Sequence, residues 1–160
     1  VEEGGGAMSF AAALKRTLAH EGGWYDGRDA RDPNPTMKGV TQKAYDHARE
    51  AWKLPHQTVR MITEQEVERF YHDFYWVPAG CAALTEPLDA VHFDFYVNTS
   101  PHVALGVLGT CNNDPCEYLN LRERFYVDLG EESVKLRRNF DGWENRVQAE
   151  RKAAGCYVPT

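Results

Sequence analysis

Apolar residues recur along this chain at intervals of three and four, with little strict alternation, so the spacing predicts helices almost throughout. Phe10, Leu14, Leu18 and Glu21 form the first stripe. They predict a helix from Ser9 to Glu21, stopped by Gly22 and Gly23. Residues 24–40 break the pattern with Asp, Gly, Arg, Pro and Asn, which suits a turn-rich loop or a short irregular hairpin. A second helix follows Thr41, with Tyr45, Ala48 and Trp52 facing inward. Thr63 to Glu66 reads as a capping box and opens a third helix on Val67, Phe70, Tyr71 and Phe74. A fourth starts near Pro87, with Leu88, Val91, Phe95 and Asn98 on one side. Ser100-Pro101 and Asp114-Pro115 cap two more. Leu136, Phe140, Trp143 and Val147 stripe the last one. The fold class is mainly α, with one polar insertion after the first helix.

Composition narrows the function classes. The 160 residues are 42% hydrophobic and 12% aromatic, enough for a packed core. No apolar run reaches the ~18 residues of a membrane span. The 18 basic and 24 acidic residues give a net charge of −6, which argues against a nucleic-acid binder. Residues 1–7 are Gly-rich and read as a tag or linker, with Met8-Ser9-Phe10 as a natural start. Two of the acidic charges, Glu2 and Glu3, belong to that tail, which leaves −4 for the remainder. No basic segment followed by an apolar one marks a secretory signal. Among the four cysteines, a loop bridge Cys111–Cys116 and a meeting of Cys81 with Cys156 are possible pairings. Without a secretion signal, four reduced thiols are the favoured state. The histidines show no metal-ligand spacing to the cysteines, so no metal is expected.

Glu21 is the candidate for chemistry. It closes an apolar stripe at a helix carboxyl end, where burial and the macrodipole both favour the protonated form. A carboxyl that keeps its proton near neutral pH acts as a general acid. Two glycines after it admit a close neighbour, and Trp24 and Tyr25 suit sugar stacking. Asp26, Asp29 and Asp32 follow in the polar insertion. Turn chemistry accounts for them as well as a ligand does, and the closing Glu of a calcium loop is missing.

The string His20-Glu21-Gly22-Gly23-Trp24-Tyr25, followed by Thr36-Met37-Lys38-Gly39-Val40-Thr41, resembles glycoside hydrolase family 108. Tyr75-Trp76, Phe93 to Asn98 and Phe140 to Val147 resemble its middle and closing motifs. The resemblance runs from Met8 through nearly the whole chain. It implies a lysozyme-like helical fold and an N-acetylmuramidase that cuts the β-1,4 bond between N-acetylmuramic acid and N-acetylglucosamine in peptidoglycan. It also implies one lysozyme-like unit over 8–160, with a catalytic lobe at 8–80 and a helical lobe at 81–160 resembling a peptidoglycan-binding module.

By position Glu21 takes the catalytic acid role. Asp32 is the preferred second carboxylate, and Thr36 or Thr41 positions the attacking water. Trp24, Tyr25, Tyr96 and Asn98 are the candidates for lining the cleft, with Asn98 equally suited to a buried amide that bonds the backbone and links to Asp94 one turn earlier. Pro33 and Pro35 stand where the family loop usually carries glycines. The resemblance requires no cofactor and no oligomer, so a monomer is expected. Lytic transglycosylase chemistry at the same bond, or a non-catalytic wall-binding or secretion-helper protein, are the alternatives. Access to the wall from the cytoplasm then needs a holin, a secretion system or a virion, and a phage endolysin is the simplest source. Arg146 is read as lying on the exposed or cleft side, able to pair with Glu144, Glu150 or a peptide carboxylate.

Overall fold

A computed structural model describes residues 5–28, 33–132 and 139–158. Seven α-helices and a three-stranded antiparallel sheet appear among them. Helix α1 (Gly5–Leu18) leads to strands β1 (Trp24–Tyr25), β2 (Thr36–Met37) and β3 (Val40–Thr41). Helices α2 (Gln42–Ala51), α3 (Glu64–Tyr71), α4 (Leu88–Asn98), α5 (Pro101–Thr110), α6 (Pro115–Glu132) and α7 (Phe140–Ala154) follow. The capping signals act as the sequence suggests. Thr41 accepts from the Ala44 N–H, and Thr63 with Glu66 completes a capping box. Ser100 accepts from Val103 ahead of Pro101. Helix α3 runs into a π-helical turn at His72–Trp76.

Three expectations need correction. Helix α1 ends at Leu18, and Glu21 lies one tight turn beyond, its N–H bonded to the Leu18 carbonyl at 3.1 Å. Helix α4 is not one-sided: every residue from Leu88 to Tyr96 is buried, including Asp89, His92 and Asp94. The amphipathic reading failed because α4 is the hub of the fold, with α1, α5, α6 and α7 all packed against it. The cysteines are not all reduced. Cys116 and Cys156 form a disulfide, and Cys81 and Cys111 stay free and buried. That bridge joins the start of α6 to the second residue beyond α7, a pairing set by how the two helices meet. Leu136 lies outside the described residues.

The core is aromatic. Phe10 meets Trp76 and Phe93 edge to face, with ring centres 5.2 and 5.9 Å apart. Phe95 does the same with Tyr118, Phe125 and Tyr126. Trp143 of α7 stacks flat on Tyr126 at 4.9 Å and packs against the core, as its stripe suggests. His92 sits fully buried among these rings. Its Nε2 lies 3.1 Å from the Ala79 carbonyl and its Nδ1 lies 2.8 Å from the Tyr118 hydroxyl. The carbonyl can only accept, so the neutral ring carries its proton on Nε2. Burial lowers His92 to about 4.

Candidate active site

The sheet is small, but it shapes the site. Tyr25 pairs with Thr36 and Thr36 with Thr41, so these three side chains share one face. Trp24, Met37 and Val40 share the other, where Val40 is fully buried. Lys38 and Gly39 join β2 to β3 with φ of 50° and 78°, the signature of a type I′ hairpin turn. Tyr71 donates its hydroxyl to the Lys38 carbonyl at 2.8 Å, and the Lys38 ammonium pairs with Glu64. The hairpin tip is thereby pinned to α3. A Cβ placed on Gly39 would lie 2.5 Å from the Tyr71 oxygen and 2.8 Å from Glu21 Oε2. A glycine is needed there for two reasons, the left-handed backbone and the carboxylate pressed against it.

Glu21 is 22% exposed. Its Oε1 accepts from Arg146 Nη1 at 3.2 Å, and no hydrogen bond from a described residue reaches Oε2. This is not the carboxyl among apolar side chains that the stripe suggested. Arg146 is buried, and pairs with neither Glu144 nor Glu150. Glu144 bonds Gln148 instead, and Glu150 bonds Arg16 at 3.3 Å. The rest of the Arg146 guanidinium grips Asp94 of α4, with Nη2 at 2.9 Å from Oδ1 and Nε at 3.0 Å from Oδ2. Arg122 of α6 adds a bond of 2.8 Å to Asp94, and the Thr17 hydroxyl one of 2.9 Å. Burial opposes charge on Asp94, but the two guanidinium groups overcome it and hold the carboxyl below its ordinary range. The phenols facing Glu21 shift the other way. Burial, with the Glu21 charge second, pushes Tyr71 and Tyr75 up, so both stay protonated. Partial burial and then Arg146 lower His20.

The other sequence candidates fall into three groups. Asp29 and Asp32 lie outside the described residues. Thr36 and Thr41 stand side by side near the hairpin, but each hydroxyl oxygen already has a local bond. Thr36 donates to the Asn34 carbonyl at 3.1 Å, and Thr41 caps α2. Trp24 is exposed beneath the Arg60 guanidinium, 5.5 Å from its ring centre. Tyr96 is buried, edge-on to Tyr75. Both line a cavity of ≈ 370 Å³ that also takes in His47, Val97 and Thr99. Asn98 is half-buried and accepts from the Tyr126 hydroxyl, so its partner is a side chain rather than the backbone or Asp94. A larger cavity of ≈ 540 Å³, beside Phe10, His72 and Trp76, includes none of the site residues.

Sequence reasoning did not assign Arg122 or the Asp94 cluster. The signal was a buried Asp one turn before Asn98 on an apolar helix, which must find cations somewhere. Nothing in the spacing says which. Gly22 and Gly23 give a different clue. Both are exposed, neither holds a left-handed backbone, and a Cβ on either would meet no atom within 4 Å. The fold itself does not require these glycines. Among the described residues no group of His, Cys, Asp and Glu could hold a metal ion, and no helix is long and apolar enough to cross a membrane.

Comparison with known proteins gives a family and a fold. The family model of glycosyl hydrolase 108 matches residues 14–99, more than half of the chain. The solved structure of SagA from Brucella abortus superposes with a TM-score of 0.70, covering 92% of this chain and 94% of that one at 20% identity. At that identity the likeness is one of fold. No curated protein sequence matches the chain. The family match takes in Glu21, Gly39, Tyr71 and Asp94, whereas Arg122 and Arg146 come from beyond it.

Proposed function

The chain belongs to glycoside hydrolase family 108, and from that premise we propose that it is a lysozyme-type N-acetylmuramidase with Glu21 as its general acid. The family supports a peptidoglycan hydrolase of the muramidase kind. The observation that carries the residue assignment is the setting of Glu21. It is a carboxyl at the mouth of the hairpin, partly open to solvent, with Oε2 unbonded by any described residue. Two glycines with open space follow it. A glycan pressed against the Gly22-Gly23 backbone accounts for their missing side chains.

In this reading Glu21 gives its proton to the glycosidic oxygen, and the electron pair of the breaking C1–O bond goes to that oxygen. The oxocarbenium-like sugar then takes water at C1, and the water's spare proton returns to a base or to solvent. Asp94 cannot serve as that base or as a nucleophile, since it is buried and its oxygens are taken by two arginines and Thr17. Asp32 is the proposed second carboxylate, and Thr36 or Thr41 the proposed water ligand. Trp24, Tyr25, Tyr96 and Asn98 are the proposed cleft residues. Trp24 and Tyr25 lie on opposite faces of the sheet, Tyr96 borders Tyr75, and Asn98 bonds Tyr126, so they do not form one continuous wall. The cell wall is the site of action. The negative net charge gives no long-range attraction to an anionic wall, so the cleft is the main source of binding.

The test is Glu21→Gln on purified peptidoglycan. Loss of a positioned proton donor costs about 10²- to 10⁴-fold in rate, while the unfolding temperature stays near the parent's. A Gln variant that lyses walls as fast as the parent removes Glu21 from the mechanism. Mass spectrometry of the digest separates the outcomes: reducing muramyl ends support hydrolysis, and 1,6-anhydro ends assign a transglycosylase instead.

A further inference from the structure

Arg146 has a divided set of contacts. Nε and Nη2 are spent on Asp94, and Nη1 alone reaches Glu21. A purely structural role would need only the first pair. Two carboxylates (Glu21, Asp94) and two guanidiniums (Arg122, Arg146) are joined by direct ion pairs, and Glu150 is matched separately by Arg16. The group is balanced when Glu21 is ionised. It carries an excess positive charge when Glu21 holds a proton. Proton donation by Glu21 therefore restores the balance.

We propose that Arg146, braced by Asp94, is a positioning residue for the acid. It fixes Oε1 so that Oε2 stays against Gly39, and it receives the negative charge left on Glu21 as the proton departs. The inference rests on the reading of Glu21 as general acid. The proton passes from Glu21 to the leaving oxygen, and the resulting carboxylate forms the full ion pair with the Arg146 guanidinium. Charge that develops in the transition state thus meets a cation already in place.

The neighbours of Glu21 on the other elements do not duplicate this role. Tyr71 of α3 and Tyr75 of the π-turn stay neutral, and His20 is held below the ordinary imidazole value. Lys38 of the hairpin is committed to Glu64. Arg122 bonds Asp94 and Tyr126. Arg146 is the cation in contact with Glu21 among the described residues.

The experiment is the pH profile of kcat/KM on purified peptidoglycan for Arg146→Gln and Arg146→Lys, with unfolding curves and Glu21→Gln alongside. Without its guanidinium, the charge left on Glu21 has no cation beside it among the described residues. The alkaline limb then moves up by about 1 pH unit in Arg146→Gln, and kcat below the limb falls about 10-fold or more. Arg146→Lys keeps a cation for Asp94 and is the variant expected to fold. Its single ammonium cannot span both carboxylates, so its limb moves in the same direction by a smaller amount. A folded variant whose limb stays at the parent's pH overturns the proposal, whatever its rate. That outcome leaves the assignment of Glu21 standing. Full activity in Glu21→Gln instead overturns the functional reading itself.

Discussion

Two carboxylates joined by one arginine live in opposite surroundings. Asp94, on the hub helix α4, is 1% exposed and bonded by two guanidiniums and a hydroxyl. Glu21, at the mouth, is 22% exposed, with a bond to one oxygen from the described residues. The first is satisfied and locked in its charge. The second has an oxygen that no described residue bonds, the one the proposed reading gives to the substrate. The contrast separates the part of the molecule that holds geometry from the part that can exchange a proton. It also sets which measurement should respond when each is changed.

The largest effect on stability is expected at Asp94. Asp94→Ala leaves two arginines buried without their shared partner, which costs about 3–5 kcal/mol. Chemical denaturation reads this directly. A loss below 1 kcal/mol would mean that the cluster is not the rigid half of the pair.

His92, on the same helix, tests whether the hub also responds to pH. The unfolded chain binds a proton at its ordinary 6.5, and the fold does so at about 4. Between those values the unfolded state holds more protons. Acid therefore favours unfolding across that window, and the His92 contribution is complete above pH 6.5 and lost towards pH 4. It amounts to about 3 kcal/mol. Asp94 continues the trend below 3.8, where the unfolded chain protonates first. Glu150, pushed up by burial and by Asp94, works in the opposite sense above 4.5. Unfolding curves from pH 4 to 7 for the parent and His92→Gln isolate the histidine, and the variant should lose most of its share of the slope.

Glycine substitutions sharpen the comparison at the mouth. Gly39→Ala places a methyl on Tyr71 and Glu21 in a left-handed backbone, so about 1–3 kcal/mol of stability and most of the activity should go together. Gly22→Ala has open space and ordinary backbone. It should gain about 0.4–1 kcal/mol through the unfolded chain while activity on peptidoglycan falls. If Gly22→Ala kept full activity, the open face beside Glu21 would not be where the glycan lies.

Much of this was readable in the order of residues. The caps at Thr41, Thr63 and Ser100 act within three or four positions, so local chemistry decided them. The polar break after the first helix and the short hairpin follow from the glycines and prolines of residues 22–39, although the helix itself stops at Leu18. Glu21 stood out as the end of an apolar helix stripe, a premise the fold overturns by ending the helix at Leu18 and pairing Glu21 with Arg146. The two glycines and two aromatics after it are the part of that reading that is purely local. Helix stripes located most of the core for the same reason, since burial on one side repeats every three to four residues.

The tertiary structure decided what periodicity cannot carry. Helix α4 has no polar side once four helices surround it, so its sequence gives no direction. Asp94 meets arginines 28 and 52 positions away, and Glu21 meets one 125 positions away. Cys116 finds Cys156 across 40 residues rather than its near neighbour Cys111. Ion pairs and bridges at such separations leave no repeat in the chain. They depend on which helix ends arrive together, and that is fixed by the packing of α6 and α7 on α4. The sequence determined the helices, the hairpin and the candidate acid; the packing supplied Arg146, because a buried charge is partnered by whatever the fold brings within reach.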